Sequence, residues 1–206
     1  MTKKDAVKVK IGKAAIQCFA RYGLEKTTLD DIAKSVGLNK ASLYYYYKNK
    51  EDIFLEVAIA EGQQFINALQ EKTINKKGVE NRIQYYLQER MQYYLLVLNR
   101  NKITADKLYK ILPQFFELYD EVMQQEISFI QSLLQVGIKQ KEIARTDSLK
   151  LASSIILVSD AVKHSIEQQA LLKNEDIDNS SKGFDQIKFL LQLIFKGLKN
   201  NSNNGQ

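Results

Sequence analysis

A chain of 206 residues, 45% hydrophobic and 26% charged, has the make-up of an ordinary globular protein, either one large domain or a small one joined to a larger. Its net charge of +6 is divided unevenly: residues 1–50 hold 11 Lys or Arg against 4 Asp or Glu, whereas residues 51–206 hold 19 against 20. A single cysteine excludes an intrachain disulfide and argues against a cysteine zinc site, and MTKKDAVKVK lacks the apolar core of a secretory signal, so a cytoplasmic location is expected.

One proline, nine glycines and no stretch of two-residue alternation predict an all-α fold of about nine helices. The first helix is expected over 5–22, with Ile11, Ala15, Cys18, Phe19 and Tyr22 on one stripe and Gly23 closing it. Cys18 reads as a small buried apolar group, and Lys3, Lys4, Lys8 and Lys10 form a basic start able to reach phosphates or to remain a solvated arm.

Next comes TLDDIAKSVGLNKASLYYYYKNK, residues 28–50. Thr28 caps a helix, with Asp31 as its capping-box partner and Asp30 adding charge at the positive end. That helix ends at Val36. Gly37 supplies a left-handed turn, and Asn39 caps a second helix running to about Tyr47. Ile32, Val36, Leu38 and Leu43 can be buried together, while Ala33 lets the helices cross closely. This is the pattern of a helix-turn-helix, whose second helix enters the DNA major groove. Its outer face carries Lys40, Ala41, Ser42, Tyr44, Tyr45 and Tyr46, with Lys48 and Lys50 beyond. Ammonium and phenol groups reach phosphates, Ser42 can bond a base edge, and Ala41 or a tyrosine ring can pack on a thymine methyl. The alternative is a helical hairpin with a solvated basic face. Four consecutive tyrosines, which cannot all face inward, argue against it. The segregated positive charge suits a polyanion; a membrane surface is not expected, because no amphipathic basic helix, lipidation motif or transmembrane run accompanies it.

Asn49 caps a helix expected to continue to about Lys72, a strut of roughly 30 Å. Further helices are expected over 79–99, over 104–111 capped by Thr104, from Pro113 to about Lys139 with Gly137 fraying its end, over 147–172 and over 184–199. KNEDIDNSSKG, residues 173–183, reads as a flexible connection, and residues 201–206 as a disordered tail. The last two helices are apolar on more than one side, which demands burial on two sides. Ile155, Val158, Val162, Leu190, Ile194 and Leu198 are therefore candidates for a four-helix homodimer interface; a central pair in a monomeric bundle is the alternative. No nucleophile–His–carboxylate set, metal-ligand spacing or phosphate loop is present, so neither an enzyme nor a cofactor is expected.

Over residues 9–55 the chain resembles the tetracycline-repressor (TetR) family of bacterial transcription regulators, in its first helix, the paired Thr27 and Thr28, Ile32-Ala33, Gly37, Leu43-Tyr44 and Lys50-Glu51. Beyond residue 56 only the number and lengths of helices match. The resemblance implies a DNA-binding domain at 1–50 and a helical effector-binding and dimerisation domain at 51–200. It implies that Thr28 and Lys50 hold phosphates, that Lys40, Ala41, Ser42 and Tyr44 face bases, that Tyr45 and Tyr46 contact backbone, and that Tyr47 fills a core position. Tyr46 stands where members often carry His, Tyr47 where Phe is usual and Ala41 where Gly is frequent. An inducer pocket is also implied, for which Tyr86, Tyr93, Tyr94, Phe116, Tyr119 and His164 are the candidates, with a small hydrophobic or aromatic effector as ligand. His164, the sole histidine, has no acidic partner evident in the sequence. The expected function is a ligand-responsive repressor that binds a palindromic double-stranded operator as a homodimer. The alternative is an architectural or cell-cycle DNA-binding protein of the same fold without an inducer.

Overall fold

The computed structural model describes residues 2–173 and 182–199, without the side chains of residues 112, 114–119 and 182. Among these the chain is helical throughout: α1 (Lys3–Tyr22), α2 (Leu29–Ser35), α3 (Lys40–Tyr44), α4 (Lys50–Ile74), α5 (Val79–Arg100), α6 (Ala105–Lys139), α7 (Ser148–Lys173) and α8 (Lys182–Leu198). The flexible connection expected at 173–183 and the tail at 201–206 fall mostly or wholly outside the described residues.

The chain separates into two compact units: Met1–Gln64 with Tyr94–Tyr119, and Phe65–Tyr93 with Asp120–Gln206. The division therefore does not follow a cut at residue 50, because residues 51–64 and 94–119 pack with the basic module. The core of the first unit is built from Ile11, Ala15, Phe19, Leu24, Ile32, Leu43 and Ile53, with the Phe19 and Phe54 rings edge to face at 5.8 Å. Cys18 is buried as expected, its Sγ 3.6 Å from Ser35 Oγ. Tyr22 is not part of this core; it is exposed, with the Arg21 guanidinium over its ring. In the second unit Ile83, Leu87, Ile130, Leu134, Ile156 and Phe195 form the core.

Three boundaries differ from the sequence reading. α3 ends at Tyr44 rather than Tyr47, because the turn at Tyr45 and Tyr46 is what brings Tyr47 inward. The helices expected over 104–111 and from Pro113 are one helix, α6, with Pro113 inside it. The ring costs about 3 kcal/mol by removing a backbone hydrogen bond, and burial of Leu108 and Ile111 before it and of Val122 and Ile130 after it offsets that loss. Gly137 does not fray its helix: it is buried where α6 meets Val79, and a Cβ there would lie 2.9 Å from Val79 Cβ.

Candidate nucleic-acid interface

The helix-turn-helix is held by local caps. Thr28 Oγ1 accepts from the Asp31 amide at 3.2 Å and donates to Asp31 Oδ2 at 2.6 Å, while the Thr28 amide donates to the same carboxylate at 2.9 Å. The hydroxyl bond, followed by the amide bond, holds the Asp31 carboxyl below the usual aspartate range. Gly37 turns the chain at φ 72°, and Asn39 Oδ1 accepts from the Ser42 amide at 2.7 Å, starting α3. Leu43 and Tyr47 point into the unit. The Tyr47 hydroxyl donates to Glu56 Oε1 at 2.9 Å, and burial, reinforced by that carboxylate, pushes its pKa above the ordinary tyrosine value.

Anchoring Leu43 and Tyr47 leaves an outward edge. Lys40, Ala41, Tyr44, Tyr45 and Lys48 are exposed, Tyr45 by 70%, while Ser42 and Tyr46 are half-buried. Lys40 Nζ lies 5.9 Å from the Tyr44 ring centroid, and the Tyr45 and Tyr46 rings meet edge to face at 5.1 Å. The start of α1 joins the same edge, with Lys4 Nζ 5.1 Å from the Tyr45 ring centroid. Lys8, by contrast, turns to Glu56 at 2.7 Å. Thr28 is exposed at the start of α2. Lys50 is the exception among the expected contacts: its ammonium donates to the backbone oxygens of Glu25 at 2.7 Å and Thr27 at 2.8 Å. Partial burial, with Lys107 nearby and Glu51 opposing, lowers its pKa.

The residues expected to line an inducer pocket are Tyr86, Tyr93, Tyr94, Phe116, Tyr119 and His164. Tyr93 stacks on Phe65 with ring centroids 3.9 Å apart, Tyr94 belongs to the first unit, and the side chains of Phe116 and Tyr119 lie outside the described residues. Tyr86 is buried in an ionic network that the sequence reading missed. Its hydroxyl donates to Glu126 Oε1 at 2.9 Å; Arg90 Nε donates to the same oxygen at 2.6 Å, and Arg90 Nη1 to Asp160 Oδ1 at 2.9 Å. Lys163 Nζ stands 3.3 Å from Asp160. Burial resists ionisation of Asp160, but Arg90 and Lys163 outweigh it and hold the carboxyl below its ordinary value. His164 does have an acidic partner, the fully buried Glu167, three residues on and 2.8 Å away. Its i,i+3 spacing was a visible signal; the pairing of Arg90 with residues 36 and 70 positions away was not. Among the described residues no group of three or more His, Cys, Asp or Glu is arranged to hold a metal ion.

On α7 and α8 the expected interface residues divide. Val158 and Leu190 are exposed, Val162, Ile194 and Leu198 are half-buried, and Ile155 is buried within its own unit, so Ile155 is not available to a partner. Leu157, Phe189 and Leu193, which belong to the same apolar pattern, are exposed as well. Among the described residues no helix is long and apolar enough to cross a membrane.

Residues 11–57 match the profile of bacterial regulatory proteins of the tetR family. Over 115 residues, 56% of this chain, the sequence is 36% identical to the biofilm operon icaADBC HTH-type negative transcriptional regulator IcaR of Staphylococcus epidermidis. The chain spans about half the length of that relative, 48%. A transcriptional regulator from Cytophaga hutchinsonii has the same fold, with a TM-score of 0.71 and 27% identity over 92% of this chain and 97% of its own. The regulator FadR from Bacillus subtilis, solved in complex with stearoyl-CoA, matches in fold with a TM-score of 0.60 and 19% identity, covering 92% of this chain and 98% of that one.

Proposed function

We propose that this chain, whose residues 11–57 match the tetR-family profile, is a transcriptional repressor that binds a two-fold symmetric operator as a homodimer and leaves it when a small molecule occupies the helices beyond the basic module. One observation carries the DNA half of this reading: α3 buries Leu43 and presents Tyr44 outward beside Lys40, and the turn that follows presents Tyr45 beside Lys4. Phenol rings and ammonium groups on one edge can contact base methyl groups and phosphates together. Two such edges related by a two-fold axis would read half-sites about 34 to 36 Å apart.

The effector half rests on likeness. FadR of Bacillus subtilis carries stearoyl-CoA in its solved complex, and a hydrophobic or aromatic effector for this chain is the corresponding proposal. It must bind the DNA-free conformation more tightly by about 1 to 3 kcal/mol to switch occupancy. Selection of bound fragments from random duplex DNA tests the reading. Enrichment of an inverted repeat with half-sites one helical turn apart supports it; no enrichment over input overturns it. Release of the enriched fragment by an acyl-CoA or an aromatic compound separates an inducible repressor from a DNA-binding protein without an inducer.

A further inference from the structure

We propose that the solvent-facing stripe of α1, formed by Lys3, Lys10, Lys13 and Arg21 and continued by Lys102, is a second docking surface for duplex DNA. It takes up a further duplex while the tyrosine edge of α3 holds the operator. The inference goes beyond operator binding and rests on that reading only for the duplex that occupies α3.

α1 carries six basic residues and one acid. Two of the six turn towards the rest of the unit, Lys4 over the Tyr45 ring and Lys8 to Glu56 at 2.7 Å. The acid, Asp5, is taken up by the cap, where its Oδ2 accepts from the Thr2 amide at 2.7 Å. Lys3, Lys10, Lys13, Gln17 and Arg21 are all exposed, and their spacings of seven, three, four and four residues place them on one stripe. Lys102 lengthens it, its ammonium donating to the Arg21 backbone oxygen at 3.2 Å. From Lys4 to Lys13 is about two and a half turns, so those two lysines stand on opposite sides of the helix. A straight duplex seated against Tyr45 and Lys4 therefore leaves Lys13 and its neighbours uncovered.

Charge is what this stripe offers a partner. Lys34 has Asp30 one turn away at 2.6 Å, and Lys110 has Asp106 at 2.6 Å. Among the described residues Lys3, Lys10, Lys13 and Arg21 form no ion pair. Like charges three or four residues apart destabilise a helix, a repulsion that a polyanion relieves. From Lys3 to Arg21 the helix is about 27 Å long, and a duplex presents about one phosphate per 1.7 Å of its axis. A protein partner fits less well, because charged side chains are depleted from the cores of protein interfaces.

The test immobilises the operator recovered by selection, saturates it with full-length protein and offers a labelled scrambled duplex, the α3 edges being already occupied. Unmutated protein is expected to retain the scrambled duplex at about 50 mM salt and to lose about a hundredfold in affinity for it by about 200 mM, the response to four neutralised phosphates. Lys10→Gln, Lys13→Gln and Arg21→Gln together are expected to lower capture about tenfold or more, with the operator dissociation constant within about twofold of its original value. Lys10→Arg with Lys13→Arg keeps the charge and is expected to keep capture. Equal loss of operator and second duplex in the triple Gln variant overturns the inference, since it assigns the stripe to the operator. Absence of capture by the unmutated protein at about 50 mM salt overturns it too. So does retention of poly-glutamate in place of the duplex, which assigns the stripe to an acidic protein. If the unmutated protein does not load onto the operator, the operator reading fails. The stripe is then judged on protein held through a C-terminal tag, where the triple Gln variant must still lower duplex binding about tenfold.

Discussion

Arg90 is a buried cation in the interior of the second unit. It is buried between Glu126 and Asp160, and removing it takes a cation from between two carboxylates in a place poorly reached by water, Asp160 keeping Lys163 at 3.3 Å. Breaking a buried pair from one side costs about 3 to 5 kcal/mol, so Arg90→Met should lower the urea midpoint severely at neutral pH. Lowering the pH should narrow the gap between variant and unmutated protein. The folded Asp160 carboxyl titrates below its unfolded value, so its contribution is present above about pH 4 and fades as the pH falls through the folded value. Tyr86 gives the opposite limit. Burial, with Glu126 beside it, raises its pKa above the ordinary tyrosine value, so the folded state keeps the phenol protonated where the unfolded chain ionises. Stability should be lost as pH rises above about 10. Tyr86→Phe should flatten that alkaline slope, measured as urea midpoint against pH; an unchanged slope would show that Tyr86 does not supply it.

Among the elements, those whose ends are set by a neighbour three residues away were legible in the sequence. Thr28 with Asp31, Asn39 with Ser42, Asn49 with Asp52 and Thr104 with Lys107 all cap as read. What escaped was decided by packing at a distance. Tyr47 leaves the helical pattern to reach Glu56, Pro113 is carried inside α6 by the burial on either side, and Gly137 is small because Val79 lies against it. Ile155 shows the same limit, since the apolar pattern of a helix does not say which of its faces packs within its own chain. Gly137→Ala tests the packing account. A methyl 2.9 Å from Val79 Cβ should destabilise by about 1 to 3 kcal/mol, and Val79→Ala in the same chain should recover part of that loss. Additive losses in a double-mutant cycle of urea midpoints would contradict it.

At the scale of the whole molecule, pairing of two chains is the remaining proposal, and the exposed apolar face of α7 and α8 is its physical motive. Leu157 is 70% exposed and Phe189 59%, and with Val158, Leu190 and Leu193 they leave α7 and α8 with several exposed large apolar side chains, a feature that accompanies interfaces when such residues adjoin. Phe189→Glu should shift the protein from dimer to monomer in sedimentation at micromolar concentration while its helical circular dichroism is retained. A monomeric unmutated protein would remove the basis for a two-fold operator. Pairing matters to function only if the paired heads read sequence, and that is the central claim: the tyrosine edge of α3 discriminates between duplexes. The ratio of dissociation constants for the selected operator and a scrambled duplex, at one salt concentration, measures it directly. The account predicts a ratio of at least about 10³ that collapses in the Tyr44→Ala, Tyr45→Ala double variant while salt-sensitive binding to both duplexes persists; a ratio near one, or a large ratio untouched by those substitutions, would contradict it.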